Sequence, residues 1–397
     1  MKNPYLKSKL VEILFFFTLP LYRTRSGETM GRLDLVFSTH PLAKEYLVSS
    51  LMRFYVDVEQ TGMHSQFYDK FNIRYNISQI LKSVWEDSNH KQRVIEQSRN
   101  KDFFVRFVAL LMNDTTFLLD ESLSKLKEIQ SVQTELETPA EQSQEGQRRR
   151  QEREATLAQA ERQAQSYMSL GNETVHMLQY MTADKDVVEP FMAGEVVERL
   201  AAMLDFNLAA LVGPRCTELK VKNPEKYRFD PKRLLKELIE IFVHLGHREE
   251  FVGAVAKDGR SYNRNLFLRA QGILLKNRLK SERELEPLFE FVDKVERTIQ
   301  AEQQAEEELG EIPDEFADPL LYHLMEDPVI LPSSGTTIDR STIKAHLLSD
   351  AHDPFNRQPL AIEDVIPNDE LRQKIADWKS SLRKVGGSGD GVAPMEM

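Results

Sequence analysis

Between Pro41 and Gly310, apolar residues return every three or four positions with polar residues between them, the period of a helix with one buried face. Leu47, Leu51, Phe54, Tyr55 and Val58 form one such face, and Ile77, Ile80, Leu81 and Val84 the next. Phe103 to Met112 is almost continuously apolar, which predicts burial on most sides. Asn113-Asp114 then offers a cap for a further helix through Phe117, Leu118, Leu123, Leu126 and Ile129. Periodicity returns at Tyr167-Met168 and runs through Leu170, Val175, Leu178 and Met181. Val196 to Val212 predicts a long apolar helix stopped by Gly213-Pro214. Asn223 to Phe229 reads as an ordered turn. Asp230-Pro231 opens another helix, with Asp as N-cap and Pro at the first position, and its face is Leu234, Leu235, Leu238, Ile239, Phe242 and Val243. Helices are also expected over Phe251 to Ala256, Leu266 to Leu279 and Leu285 to Ile299.

Successive helices with short breaks and no strands predict a mainly α fold, an elongated armadillo-like α-solenoid. No strict period can be extracted, so its repeats would be degenerate. Residues from about Glu135 to Gln165 differ: they are rich in Gln, Glu, Arg and Ala. Arg148-Arg149-Arg150 with Arg153 has the look of a nuclear signal, but Glu145, Glu152 and Glu154 flank it. A solvated, charge-laced helix or a loose connector is the better reading. Near the start, Val11 to Leu21 is apolar after three lysines, faintly like a signal peptide. Glu12 interrupts it, no small-residue cleavage site follows, and it is too short to span a bilayer. It is expected to be a buried helix of the larger fold.

The pattern changes after an acidic run, Ala301 to Gly310. Val329-Ile330-Leu331, a Pro332-Ser333-Ser334-Gly335 turn and Thr336-Thr337-Ile338 predict a hairpin. Asp339 or Ser341 can cap a helix carrying Ile343, Leu347 and Leu348, and Asn368 a last one carrying Leu371, Ile375 and Trp378. Ile312 to Trp378 therefore reads as a small separate α+β domain. It has no cysteine and only three histidines, His323, His346 and His352, too few to hold two tetrahedral zinc ions. A domain this small needs staples beyond its core, and polar side chains are the candidates.

The chain has 397 residues, enough for two or three domains, and a net charge of −11, which argues against a nucleic-acid surface. The single cysteine, Cys216, excludes an internal disulfide and suits a reducing compartment. It reads as structural rather than as a relay nucleophile. No phosphate loop, HExxH zinc pair or Gly-x-Ser-x-Gly elbow is present.

The terminal words IPDEF, DPL, LMEDPVILPSSGTTIDRSTI and DPFNRQPL resemble a U-box, the zinc-free relative of the RING domain of ubiquitin ligases. Upstream, VERLAAMLDFNLAALVGPRCTELKVKNPEKYRFDPKRLL and YNRNLF resemble the helical core of the ubiquitin chain-elongation factors of the ubiquitin-fusion-degradation pathway. Such factors are usually much longer, so the chain looks like the C-terminal part of one. The expected organisation is a helical core over 1–310, a U-box over 311–381 and a disordered tail over 382–397.

The resemblance implies roles for residues. Leu320 and Tyr322 in a first loop, with Pro354, Phe355 and Pro359 in a second, match positions that touch a ubiquitin-conjugating enzyme. The alternative for Leu320 and Tyr322 is ordinary core. Arg357 matches the cation that bridges the conjugating enzyme and its thioester-linked ubiquitin, a task suited to a five-donor guanidinium. The alternative is that it only pairs with Asp353. Asp339, Arg340, His346, Asp353 and Asn356 would form the polar network that replaces zinc, with no metal and no cofactor. The implied activity is non-covalent promotion of ubiquitin transfer onto substrate or ubiquitin lysines, extending chains for proteasomal degradation. Implied partners are a charged conjugating enzyme, ubiquitin, ubiquitinated substrates and an AAA segregase ATPase, in cytoplasm and nucleus, without nucleic acid or membrane. A helical adaptor that binds such partners without activating them is the alternative.

Overall fold

The computed structural model describes residues 3–19, 22–23, 29–30, 33–61, 67–137, 144–259, 261–309, 312–347 and 350–386. The chain divides into two compact units, Met1–Thr298 and Ile299–Met397. In the first unit, α1 (Pro4–Thr18) is followed by a short ribbon, β1 (Tyr22–Arg23) and β2 (Thr29–Met30), which the sequence pattern did not announce. Then come α2 (Leu35–Thr39), α3 (Pro41–Asp57), α4 (Phe67–Val84), α5 (Ser88–Ser98), α6 (Lys101–Glu137) and α7 (Gln144–Thr182). They are followed by α8 (Gly194–Val212), α9 (Pro231–Leu245), α10 (Glu249–Lys257), α11 (Arg264–Lys276) and the start of α12 (Glu282–Leu309).

Local rules account for many ends. Asp230 accepts from the N–H groups of Lys232 and Arg233 at the start of α9. α8 ends at Gly213, extended before Pro214, and only glycine fits there because a Cβ would lie 2.2 Å from the Ala209 carbonyl oxygen. Phe242, Phe251, Phe267 and Phe291 are all buried, and their rings meet from α9, α10, α11 and α12 at the centre of this part of the unit.

Three expectations are corrected. Asn113-Asp114 does not cap a new helix, because α6 runs through it unbroken. Asp114 is 4% exposed, and its carboxylate is met by other helices: Arg74 Nη1 of α4 at 2.8 Å and Tyr55 Oη of α3 at 2.9 Å. No local N–H competes for it, so it has no reason to end the helix. Secondly, no new helix begins at Tyr167. The charge-laced stretch from Gln144 is the first half of α7, exposed and carrying Arg148–Glu152, Arg149–Glu145 and Arg150–Glu154 pairs. Residues 138–143 of the expected connector lie outside the described residues. Glu135 pairs with Arg153, and Gly171 lies against Leu118 and Leu119, so α6 and α7 run antiparallel. Thirdly, α1 is not buried. Only Val11 and Thr18 are, while Leu6, Leu10, Ile13 and Phe16 face out. A run such as Leu14-Phe15-Phe16-Phe17 puts apolar groups all round a helix, and α1 leans chiefly on α4.

In the second unit, β3 (Pro328–Ile330), β4 (Thr337–Asp339) and β5 (Ile366–Pro367) form an antiparallel sheet in the order β4-β3-β5. With α13 (Arg340–Leu347) it encloses Val329, Leu331, Ile338, Ile343, Leu360 and Val365. A second small core joins Phe316, Met325 and Ile375, with Leu371 and Trp378 of α14 (Asp369–Gly386) packed against it. Asn368 caps α14 through the Leu371 N–H. Leu348 and tail residues 387–397 lie outside the described residues, and α14 itself continues through Gly386.

Two consequences can be measured. Arg74 and Asp114 are almost fully buried partners, so Arg74→Ala leaves an uncompensated carboxylate and is expected to cost about 3–5 kcal/mol in denaturant unfolding. Asp205 of α8 is 1% exposed with neither oxygen partnered among the described residues, and burial, aided by the Asp258 carboxylate, pushes it up to about 8. Its folded pKa lies above the unfolded value of ~3.9, so its contribution to stability is present below that value and is lost as pH rises toward 8. Asp205→Asn should therefore gain in melting temperature over the parent at about pH 9 relative to about pH 5; parallel melting curves across that range would refute the assignment.

Candidate functional site

Two loops of the second unit share one backbone design. The first is Asp318-Pro319-Leu320-Leu321-Tyr322-His323, and the second Asp353-Pro354-Phe355-Asn356-Arg357-Gln358. In each, the Asp N–H donates to the carbonyl of the sixth residue, His323 or Gln358, at 2.8 Å. In each, the fifth residue's N–H returns to the Asp carbonyl at 2.8 Å. That fifth residue has positive φ in both: 60° at Tyr322 and 59° at Arg357. The Asp carboxylate accepts the third residue's N–H at 2.9 Å in both, Leu320 to Asp318 and Phe355 to Asp353. Both aspartates are fully buried. Each loop is thus wound around a carboxylate, and the winding turns its middle residues outward.

The β3–β4 hairpin carries both loops. Asp318 accepts the Asp339 N–H at 2.9 Å, and Asp339 in turn accepts from Glu326, Asp327 and Ser341. At the other end, the Ser333 hydroxyl in the hairpin turn donates to Asp353 at 2.6 Å. The attachments are one short strand apart, about 10 Å at 3.3 Å per residue. Burial raises the pKa of Asp339 and of Asp353, but the converging donors outweigh it and hold both below the usual carboxylate range.

The expected contact residues lie on these loops. Leu320 is 40% exposed, Tyr322 78% and Phe355 41%, so the core alternative does not hold for Leu320 or Tyr322. Pro354 is half-buried, and Pro359 is exposed opposite His352 in an isolated bridge. The Arg357 side chain has no hydrogen bond or ion pair to any described residue. Its tie to Asp353 is through the backbone alone. The expected polar network is divided. Arg340 pairs with Asp327, which also holds Arg372, and this cluster joins Asp339 at the hairpin base. Asp353 lies at the hairpin tip, with Asn356 accepting the Gln358 N–H beside it. His346 meets the His352 carbonyl at 3.0 Å, at the start of the second loop. The inward oxygens of Asp318, Asp339 and Asp353 face N–H and O–H donors, not one another.

Sequence reasoning missed Asp318, Ser333 and Leu321, which is 58% exposed. A signal for Asp318 exists: the terminal stretch holds Asp-Pro at 318, 327 and 353, and the copies at 318 and 353 are the ones followed by an apolar residue that stays outside the strands.

A small sheet flanked by helices, with two carboxylate-wound loops on its hairpin, is the architecture of a U-box, and the chain matches the U-box domain family over residues 312–384. Residues 1–296 match the ubiquitin elongating factor core family. The chain belongs to that family. It is 48% identical over 383 residues to "Ubiquitin conjugation factor E4" of Schizosaccharomyces pombe, covering 96% of this chain and 37% of that protein. It is 47% identical to "E4 ubiquitin-protein ligase UFD2" of Saccharomyces cerevisiae (96% and 40%) and 42% to "Probable ubiquitin conjugation factor E4" of Arabidopsis thaliana (98% and 37%). The chain spans about two fifths of the length of these relatives. Among the described residues, no helix is long and apolar enough to cross a membrane.

Because Asp327, Asp339 and Asp353 all sit below their ordinary values, the stability they lend is present at neutral pH and lost as pH falls through their folded pKa values. Hydrogen exchange of peptides spanning 316–327 and 350–360 should accelerate on acidification below about pH 4, beyond the intrinsic pH dependence of exchange. Unchanged protection factors there would show that these carboxylates do not hold the loops.

Proposed function

We propose that this chain is a U-box ubiquitin ligase of the chain-elongating kind. Its second unit recruits a ubiquitin-charged conjugating enzyme, and its helical unit holds the cargo. Leu320, Tyr322, Pro354, Phe355 and Pro359 form the apolar contact, in loops whose shape is set before any partner arrives. The acceptor lysine amine attacks the thioester carbonyl, the isopeptide bond forms, and the conjugating enzyme's thiolate leaves. This chain supplies no nucleophile.

The observation that carries this reading is Arg357: a guanidinium at the exposed end of a locked loop, near enough to Asp350 to lower its pKa but without a hydrogen bond or ion pair to any described residue. It would bridge the conjugating enzyme and the ubiquitin tail, holding the thioester in a near-attack arrangement, so the gain is mostly orientational. The polar residues Asp339, Arg340, His346, Asp353 and Asn356 act only by holding the loops. We further propose that the helical unit engages ubiquitinated substrates or the segregase ATPase that delivers them, in cytoplasm and nucleus, feeding proteasomal degradation.

The test is discharge of ubiquitin from a charged conjugating enzyme onto free lysine. Arg357→Ala should bind the conjugating enzyme as the parent does and lose roughly tenfold or more in rate, about 1.4 kcal/mol of barrier. Leu320→Ala should lose binding itself. An Arg357→Ala chain as fast as the parent would remove the bridging role; binding without any acceleration by the parent would favour an adaptor.

A further inference from the structure

The second loop is held by the hydroxyl of a residue in an exposed turn. Ser333 lies in the exposed turn between β3 and β4, yet its Oγ donates to the fully buried Asp353 carboxylate at 2.6 Å and lies 3.5 Å from Asn356 Oδ1. Of the groups that favour the charged form of Asp353, the Ser333 hydroxyl is the strongest, ahead of the Phe355 N–H. The turn cannot easily carry Ser333 elsewhere. It is closed by Gly335 N–H to the Leu331 carbonyl at 2.8 Å and Leu331 N–H to the Thr336 carbonyl at 2.9 Å, with Gly335 at φ +69°. The Ser333 hydroxyl, with the neighbouring Ser334 hydroxyl as a weaker second donor, therefore fastens the loop bearing Phe355 and Arg357 to the hairpin.

We propose that Ser333 is a regulatory phosphorylation site whose modification unfastens the second loop and switches off the conjugating-enzyme face. The donor is a nucleoside triphosphate held by a protein kinase. Ser333 Oγ attacks the terminal phosphorus, the new O–P bond forms as the bond to the nucleoside diphosphate breaks, and the hydroxyl proton passes to the kinase's base. The product has no proton to give Asp353 and carries about −1.5 to −2 charges at neutral pH. If the phosphate stays in place, it faces a buried carboxylate and an amide oxygen, all acceptors. If it rotates to solvent, Asp353 loses the strongest of its donors and keeps from the turn only the weaker Ser334 hydroxyl. Both outcomes favour a loop conformation that lets Asp353 reach water. Ser341 differs: its hydroxyl also meets a carboxylate, Asp339, at 2.6 Å, but it sits in the first turn of α13, where the helix dipole favours an anion.

The consequence for activity rests on the function proposed above; the loop release does not. The experiment uses the full chain with phosphoserine placed at position 333 by genetic encoding, beside the parent, Ser333→Thr, Ser333→Ala and a phosphoserine at exposed Ser380. Two readouts are taken: hydrogen exchange of the peptide spanning 350–360, and lysine discharge from a charged conjugating enzyme. Phosphoserine-333 should speed exchange of that peptide at least tenfold and lower discharge at least tenfold, both reversed by phosphatase. Exchange across residues 369–381 of α14 and across residues 100–135 should be unchanged, which excludes unfolding of either unit. Ser333→Ala should show a smaller shift, Ser333→Thr should match the parent, and phosphoserine-380 should change neither readout. Unaltered exchange at 350–360 overturns the proposal whatever the activity. Faster exchange with undiminished discharge also overturns it. If the unmodified chain has no discharge activity, the functional reading fails, and the switch is then decided by exchange together with binding of the conjugating enzyme, which phosphoserine-333 must weaken.

Discussion

A carboxylate sunk into the protein with backbone N–H groups aimed at it is the interaction on which the terminal unit depends. Asp318 accepts from Leu320, Leu321 and Asp339, Asp339 from Glu326, Asp327 and Ser341, and Asp353 from Phe355 and the Ser333 hydroxyl. Burying a charge is costly unless donors converge on it, and each hydrogen bond to a charged group contributes about 1.5–3 kcal/mol. Because the donors are mostly main chain, satisfying the charge also dictates the path of the chain. A unit whose two apolar clusters are this small has little else with which to set the shape of its loops.

The same constraint has another solution in the helical unit. There Asp114 is answered by the side chains of Arg74 and Tyr55 from two other helices, so the carboxylate joins elements instead of bending one. Asp205 has no hydrogen-bond partner among the described residues and burial drives its pKa to about 8, whereas Arg74 and Tyr55 hold Asp114, also raised by burial, to about 6. A buried acid stays charged where donors surround it and becomes neutral where they do not.

The function proposed above follows from the first solution. Leu320, Tyr322 and Phe355 are apolar and exposed, an arrangement that a soft loop would lose by collapsing onto its own core. Wound around Asp318 and Asp353, the loops cannot collapse, and ordering them adds little cost when a partner docks. Arg357 takes its position from the same winding, since the positive φ at its own residue ends the turn.

Much of this was legible from residues alone, because helical period and capping are local properties. The caps at Asp230 and Asn368, the stop at Gly213-Pro214, the hairpin around Pro332–Gly335 and the U-box words of the terminal stretch all depend on neighbours within a few positions. The outward loop residues were legible only through family resemblance, since an apolar side chain in a loop reads equally as core. Other features required the tertiary structure. Asp114 looked like a cap until Arg74, 40 positions away, was seen to take its charge, and Ser333 was one more turn residue until Asp353, 20 positions on, was seen against it. Which helix covers α1, and which of its apolar residues stay uncovered, is also a matter of neighbours distant in the chain. Periodicity determines that a face or a carboxylate must be satisfied; only the packed chain decides by what.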